Sequence, residues 1–484
     1  MNHAIRRMGV VILVLMLALL ININVQQVLL AEQTRDRPGN QRTVLQEYSR
    51  ERGPIMIGTD PVAKSVPSSG QYKFKREYTD GPQNVPATGF YSALYGATGI
   101  ERTENGVLAG TGDMFLMSRI QQLITGRQAK GGAVQLTLNG QAQQAAYNGL
   151  GSSVGSVTAI EPSTGAILAL ASSPSFDPNK LASHNLSEVQ KYYEKISADP
   201  NKPMLNRPLA QTIPPGSTFK LVTTAAALES GEYTPSSSLP GPASMRLPES
   251  DSRLPNWNGQ ACGSNNKVTL TEALAISCNT AFAYLGMELG NDALNAQAEK
   301  FGFGNSFAVP MQAATSRYPT GIDRAQQAMS AIGQFDVQAT TMQMAQVGAA
   351  IGNGGVTMSP YLVKSVLGPD LQVMKTTAPN QYARALSNEH ATQEMAMMVN
   401  VVNNGTGSNA RIPGVAVGGK TGTAETGKGR PNIAWFVAVA PAVNPRVAVA
   451  VAIENAGGAN EVSGNGLAAP IAREVIQAIL QRSN

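Results

Sequence analysis

Cysteine and histidine are nearly missing from this sequence, and charge is thin. Two cysteines, Cys262 and Cys278, and three histidines, His3, His184 and His390, stand among 484 residues. A closed zinc site needs four ligands at short paired spacings, and these five side chains do not supply them, so no metal is expected. A Ser-His-Asp triad would have to recruit His184 or His390, and neither sits in a recognisable motif. A serine enzyme built on this chain needs a different base. Charged residues make up 14% and leave a net charge of +5, scattered along the chain. Nucleic-acid binders gather basic residues into a stripe or patch, so nucleic acid is not expected as a partner. The low charge argues against general disorder, and 42% hydrophobic residues can bury the cores of two or three domains.

What is there begins with an apolar run. Arg6 and Arg7 precede "MGVVILVLMLALLININV", and Met8 to Ile21 carries no strongly polar side chain. That run of about 14 residues suits the core of a signal peptide, and counted through Leu30 it can cross a bilayer. Cleavage near Ala31 would want small residues, but Leu29 stands two before it. The arginines place the amino terminus inside and the bulk of the chain outside. Either reading exports the rest of the chain; a buried cytosolic helix is the alternative. Residues 1–30 are therefore read as a membrane anchor or signal-anchor, single-pass, in the cell membrane. Export permits a disulfide. A Cys262–Cys278 bridge would pin a polar loop beside a candidate serine; two unpaired, unreactive thiols are the other possibility.

Residues 31–150 read as a polar stalk followed by a small, mostly β, non-catalytic amino-terminal domain, ending in a strand and helix over 132–151. The character changes at 154. "VGSVTAIEPSTGAILALASS" predicts two strands joined at Pro162–Gly165. A helix follows Ser217 and stops at Gly231, and residues 233–267 read as loop. "TLTEALAISCNTAFAYLGMELG" predicts a helix over 269–290, opened by a Thr269–Glu272 capping box. Another helix is expected over 337–352. "VAVGGKTGTAE", "NIAWFVAVAP" and "RVAVAVAIEN" read as three strands, the last two joined at Asn444-Pro445, and a helix over 468–481 closes the chain. Residues 151–484 thus predict an α+β domain, an antiparallel sheet sandwiched by helices.

Three short motifs carry chemistry. In "TIPPGSTFK" Ser217 stands three residues before Lys220, on one face of the helix it opens. A helix amino end favours developing negative charge, and a neutral lysine can take the serine proton. Ser-x-x-Lys recurs at Ser264–Lys267, where a solvated pair is the plainer reading. Ser277-Cys278-Asn279 places two polar side chains in an apolar helical stretch, where burial demands partners; Ser-x-Asn also recurs at Ser183, Ser264 and Ser463. Lys420-Thr421-Gly422-Thr423 follows an apolar strand and offers a β-edge able to hold a peptide and its carboxylate.

Taken in order, Ser-x-x-Lys, Ser-x-Asn and Lys-Thr-Gly are the trio of the penicillin-binding proteins and serine β-lactamases, and the sequence resembles the penicillin-binding transpeptidases. "EPSTGAILALASSPSFDPNKL", "NRPLAQTIPPGSTFK" and "GGKTGTAE" are similar to that family's first strands, nucleophile segment and third strand. "RGPI" (Arg52–Ile55), "YSALYGATGIE" and "LTLNGQAQQAA" resemble the amino-terminal domain of class B members. The short stalk and "NQRTVLQEYSRERG" are most similar to the actinobacterial PbpA type. Where many class B proteins carry Asp-Arg-Asn-Gly, this chain has "MIGTDPVAKS", which bears on the partner contacts of the amino-terminal domain and not on the chemistry.

The resemblance implies a cell-wall enzyme, a peptidoglycan D,D-transpeptidase acting on stem peptides that end in D-Ala-D-Ala and acylated by β-lactams. Ser217 would be the nucleophile, Lys220 its base and Ser277 a proton relay. Asn279 would bind the substrate amide, and Lys420, Thr421, Gly422 and Thr423 would line the carboxylate subsite. The N–H groups of Ser217 and Thr423 would form the oxyanion hole. Cys278, inside the Ser-x-Asn motif, fits a disulfide beside the site. No cofactor is implied. The expected partners are the membrane and cell-wall synthesis or division proteins such as a glycosyltransferase. A β-lactamase of the same fold would need a water-activating base, and none is assignable. A carboxypeptidase differs only in its acceptor. A non-catalytic scaffold would not need an intact trio.

Overall fold

A computed structural model describes residues 2–25, 45, 47–116, 130–427, 431–456 and 462–481. The stalk expected from residue 31, as far as residue 44, and the cleavage point at Ala31 lie outside the described residues. The apolar run forms one helix, Asn2–Asn24, exposed from His3 onward and, over His3–Asn24, long and apolar enough to cross a membrane.

Two sheets organise the remainder. The larger unit is built on a five-stranded antiparallel sheet. Its spatial order is Gly418–Ala424, Ile433–Ala440, Val447–Asn455, Val154–Ile160 and Ile167–Ser173. The second strand, IAWFVAVA, is buried at every position. An antiparallel strand loses its polar alternation only when both faces are covered, and here they are. Ile433, Trp435, Val437 and Val439 face one core, with the helix Thr341–Gly352. Ala434, Phe436, Ala438 and Ala440 face the other, with the helices Gly140–Leu150 and Ala469–Gln481. The neighbouring strand inverts the sizes: Trp435 pairs with Ala452, Val437 with Ala450 and Val439 with Ala448. Large beside small keeps each face level, so helices can lie flat on it. Gly348 completes the fit, since a Cβ there would come within 2.9 Å of Val437.

The second sheet has six strands, in the order Val373–Thr376, Val363–Leu367, Ala133–Leu136, Ile55–Ile57, Asp60–Pro67 and Phe74–Tyr78. Its first two strands come from far along the chain, between the helices Thr341–Gly352 and Asn388–Asn404. The amino-terminal unit is thus closed by a hairpin from the larger one. Conversely, Gly140–Leu150 packs on the five-stranded sheet beside the last helix.

Three stretches distant in sequence meet at Glu101. This fully buried carboxylate takes Arg52 Nε at 2.5 Å, Arg76 Nε at 2.6 Å and the Tyr78 hydroxyl at 3.2 Å. Burial alone would raise its pKa; the guanidiniums of Arg76 and Arg52 outweigh that and hold it below the usual carboxylate value. "RGPI" and "YSALYGATGIE" are linked through this contact.

Candidate active site

The nucleophile segment is fixed before its helix begins. Gly216–Phe219 is a 3₁₀ turn leading into the α-helix Lys220–Ser230. In 3₁₀ geometry residues i and i+3 lie on one side, so the turn sets Lys220, the first residue of the helix, on the side of Ser217. Gly216 has φ +52°, and a Cβ on it would lie 2.7 Å from the carbonyl oxygen of Thr423. Only glycine meets both demands. Gly216 N–H donates to Gly333 O at 2.9 Å, and the buried Trp435 indole donates to Pro214 O at 2.9 Å. Ser217 itself stays half-buried.

The helix expected over 269–290 is broken. Its capping box at Thr269 and Glu272 is present, but the chain forms two helices, Leu270–Ala275 and Asn279–Leu289. Ser277 stands in the corner between them at φ +60°. A serine there costs about 1–3 kcal/mol of backbone strain. The break has a chemical consequence. In a continuous helix the Ser277 carbonyl would accept from the amide four residues on; in the corner it is free for a lysine.

That lysine is Lys220. Its Nζ, fully buried, lies 2.9 Å from Ser277 O, 2.8 Å from Asn279 Oδ1 and 3.3 Å from Ser277 Oγ. Lys420, also fully buried, donates from the other side to Ser277 Oγ at 2.9 Å and to Thr421 O at 2.9 Å. Burial first, and the Lys420 charge second, push the Lys220 amine well below the ordinary lysine pKa. Burial lowers Lys420 to about 7. A neutral amine has two N–H bonds and one lone pair. Ser277 O and Asn279 Oδ1 occupy the two hydrogens, and the lone pair is left for a hydroxyl. Lys220 makes no hydrogen bond to Ser217 Oγ, so the expected direct contact between them is not formed; catalytic hydrogen bonds often tighten only on substrate binding.

The three motifs therefore converge, with Ser277 Oγ between the two amines. Asn279 has less to offer a substrate than its motif suggests: its carbonyl is taken by Lys220, and its amide donates to Pro255 O at 3.2 Å, leaving one N–H. Gly422 is explained by packing, since a Cβ would meet Thr218 and Trp435 at 2.9 Å. Thr423 is exposed. The stretch 233–267, expected as loop, carries three short strands, Ser238–Pro240, Ser244–Arg246 and Arg253–Pro255, with loop between them. Ser264 and Lys267, the second Ser-x-x-Lys, are both exposed at its end, where Lys267 opens the strand Lys267–Thr269.

Cys262 and Cys278 form a disulfide, Cα–Cα 5.9 Å, tying that loop to the Ser277 corner. A second brace went unread in the sequence. Asn256 is buried, and its Oδ1 accepts Asn279 N–H at 3.0 Å, Thr280 N–H at 3.1 Å and the Thr280 hydroxyl at 3.2 Å. It caps the helix Asn279–Leu289 from a distant position. Its Nδ2 donates to Pro242 O and Gln260 O. Thr406, also unread, places its Oγ1 2.6 Å from Thr421 Oγ1. Both lie in polar loops whose composition carries no signal of long-range partners.

Comparison with known proteins gives concordant results. The family described as the penicillin binding protein transpeptidase domain matches residues 155–477, and the penicillin binding protein A dimerisation domain matches residues 52–134. The chain is 44% identical over 493 residues to the peptidoglycan D,D-transpeptidase PbpA of Mycolicibacterium smegmatis, with both chains covered completely. It is 43% identical over 490 residues to PbpA of Mycobacterium tuberculosis, with 99% of each covered. It is similar in structure to penicillin-binding protein A from M. tuberculosis in its ceftriaxone acyl-enzyme complex, with TM-score 0.88, 42% identity and coverage of 90% of this chain and 100% of that one. The penicillin G acyl-enzyme complex matches at TM-score 0.85 with the same identity and coverage.

Proposed function

This chain belongs to the penicillin-binding protein transpeptidases, and from that premise we propose that Ser217 is the hydroxyl that carries the acyl group in its reaction. The protein is a peptidoglycan D,D-transpeptidase working through a serine acyl-enzyme that β-lactams also form.

The observation that carries the assignment is the buried pair of lysines meeting at Ser277 Oγ, one of which, Lys220, stands three residues after Ser217. Two ammonium groups cannot share that volume without solvent, so one amine stays neutral and can act as base. Ser217 Oγ attacks the carbonyl of the penultimate D-Ala, and its proton passes to Lys220. The N–H groups of Ser217 and Thr423 receive the oxyanion; the close approach of Gly216 to the Thr423 backbone supports this pairing. The proton returns through Ser277 Oγ to the leaving D-Ala nitrogen, which departs as an amine. An amine from a neighbouring stem then attacks the acyl carbonyl, the bond to Ser217 Oγ breaks, and the proton shed by that amine passes through Lys220 to Ser217 Oγ, leaving the crosslink and the free serine. Asn279 offers its remaining N–H to the substrate amide. Lys420, Thr421 and Thr423 hold the terminal carboxylate, and Gly422 lets that strand lie against the nucleophile turn.

The helix Asn2–Asn24 is read as a single-pass anchor with the transpeptidase domain on the outer side, in keeping with Arg6 and Arg7. The division into an anchor over 1–30, a stalk and non-catalytic domain over 31–150, and a catalytic domain over 151–484 is retained for function. The non-catalytic domain is the surface assigned to cell-wall synthesis or division proteins such as a glycosyltransferase.

Labelling with a fluorescent penicillin tests the assignment. Ser217→Ala and Lys220→Ala lose the label, and Ser264→Ala keeps it. Loss of label from Ser264→Ala alone would overturn the site.

A further inference from the structure

Thr406 lies in a Gly-Thr-Gly loop, 405–407, wedged between two walls of the site. Gly405 is pressed on Ala275, where a Cβ would come 2.2 Å from its carbonyl oxygen. Thr406 N–H donates to Ala275 O at 3.0 Å. Its hydroxyl stands 3.4 Å from the same oxygen and 2.6 Å from Thr421 Oγ1. Ala275 ends the helix before the Ser277 corner, and Thr421 belongs to the Lys-Thr-Gly strand. Thr406 is half-buried and Thr421 only 8% exposed.

Each hydroxyl has one hydrogen, so the pair has two arrangements. In one, Thr421 donates to Thr406, and Thr406 donates on to Ala275 O across a stretched 3.4 Å. In the other, Thr406 donates to Thr421 at 2.6 Å, and the Thr421 hydrogen is free to turn outward. A carboxylate can only accept, so its arrival selects the second arrangement. Ala275 O keeps the Thr406 N–H in both, so the reversal leaves no backbone acceptor orphaned. We propose that Thr406 is a positioning residue for the carboxylate subsite: it supplies the hydrogen bond that lets Thr421 present its hydroxyl hydrogen to the substrate's terminal carboxylate. The inference rests on the reading of Lys420-Thr421-Gly422-Thr423 as the carboxylate grip.

The test compares two thioester substrates, identical but for a free carboxylate or a methyl group, which accepts no hydrogen bond, at the terminal position, on the full chain. Thr406→Val keeps the shape and removes the hydroxyl. It lowers kcat/KM for the carboxylate roughly tenfold, the size of one hydrogen bond to a charged group. The loss falls in KM, the methyl analogue is turned over as by wild type, and Thr406→Ser restores the carboxylate rate. Thr421→Val reproduces the selective loss, and adding Thr406→Val to it costs nothing more. If Thr421→Val is selective and Thr406→Val is not, the grip stands and the role of Thr406 is refuted. If Thr421→Val is itself without selective effect, the grip fails and takes the inference with it. An equal loss on both substrates makes Thr406 merely structural and also refutes it. Should Thr406→Val not fold, Thr406→Ala against Thr406→Ser carries the same comparison.

Discussion

Lys220 and Lys420 approach one hydroxyl from opposite sides, their amines 3.3 Å and 2.9 Å from Ser277 Oγ. Each is buried completely, and the Lys420 charge adds to burial in pushing the Lys220 pKa down.

The pair makes acylation pH-dependent with a definite sign. A protonated Lys220 cannot take the Ser217 proton, so the rate of penicillin acylation falls on the acid side. The Lys420 charge helps keep Lys220 below its ordinary pKa. Lys420→Met therefore moves the acid limb to higher pH, whatever it does to the maximal rate. A limb that stays in place contradicts the coupling. Stability follows the same linkage. A lysine whose folded pKa is about 7 binds its proton less well folded than unfolded. Between that value and the unfolded lysine value, stability rises with pH, and the rise flattens in Lys420→Met. Thermal melts across that range measure it.

Asn256→Ala removes three hydrogen bonds to the start of the helix Asn279–Leu289. The cost expected for a lost helix cap is roughly 1–2 kcal/mol. Because the same contacts hold the strained Ser277 corner, acylation slows on the order of ten- to a hundredfold. A lower melting temperature with an unchanged acylation rate would show that the corner holds without Asn256.

The Cys262–Cys278 bridge closes a span of 16 residues, for which loop entropy gives about 3 kcal/mol. The paired replacement Cys262→Ala, Cys278→Ala lowers stability by an amount of that order and slows acylation. Denaturant titration beside penicillin kinetics measures both. Unchanged stability counts against the brace.

The parts of the site legible in the sequence are those whose chemistry is local. Ser217 and Lys220 are one turn apart; Lys420 to Thr423 are contiguous. Two strands of the large sheet were legible too, because Ile433–Ala440 and the first seven residues of Val447–Asn455 are apolar throughout. The break at Ser277 was not, because its apolar spacing fits a continuous helix. Only the hydrogen bond from Lys220, 57 residues earlier in the chain, gives the free carbonyl a use. Asn256 and Thr406 likewise act through partners that loop composition does not encode. The hairpin that completes the six-stranded sheet was hidden for a related reason: Val373–Thr376 is exposed at every position, so no core periodicity marks it.

Glu394 is fully buried on the helix Asn388–Asn404, and neither carboxylate oxygen has a hydrogen-bond partner among the described residues. Burial raises its pKa well above the usual 4.5. The folded group stays protonated while the unfolded one ionises, so stability is intact below the unfolded pKa. It is lost as pH rises toward the folded pKa, at about 1.4 kcal/mol per pH unit. Glu394→Leu is more stable than wild type at pH 7–8, and the advantage shrinks toward pH 4. An advantage that does not change with pH would contradict an uncharged buried carboxyl.

The central claim is that a buried, uncharged amine lets Ser217 carry the acyl group. Peptide mapping by mass spectrometry after penicillin treatment tests it most directly. The account predicts the penicilloyl adduct on the peptide containing Ser217, absent in Lys220→Ala. An adduct on Ser264 or Ser277, or an undiminished one on Ser217 without Lys220, contradicts it.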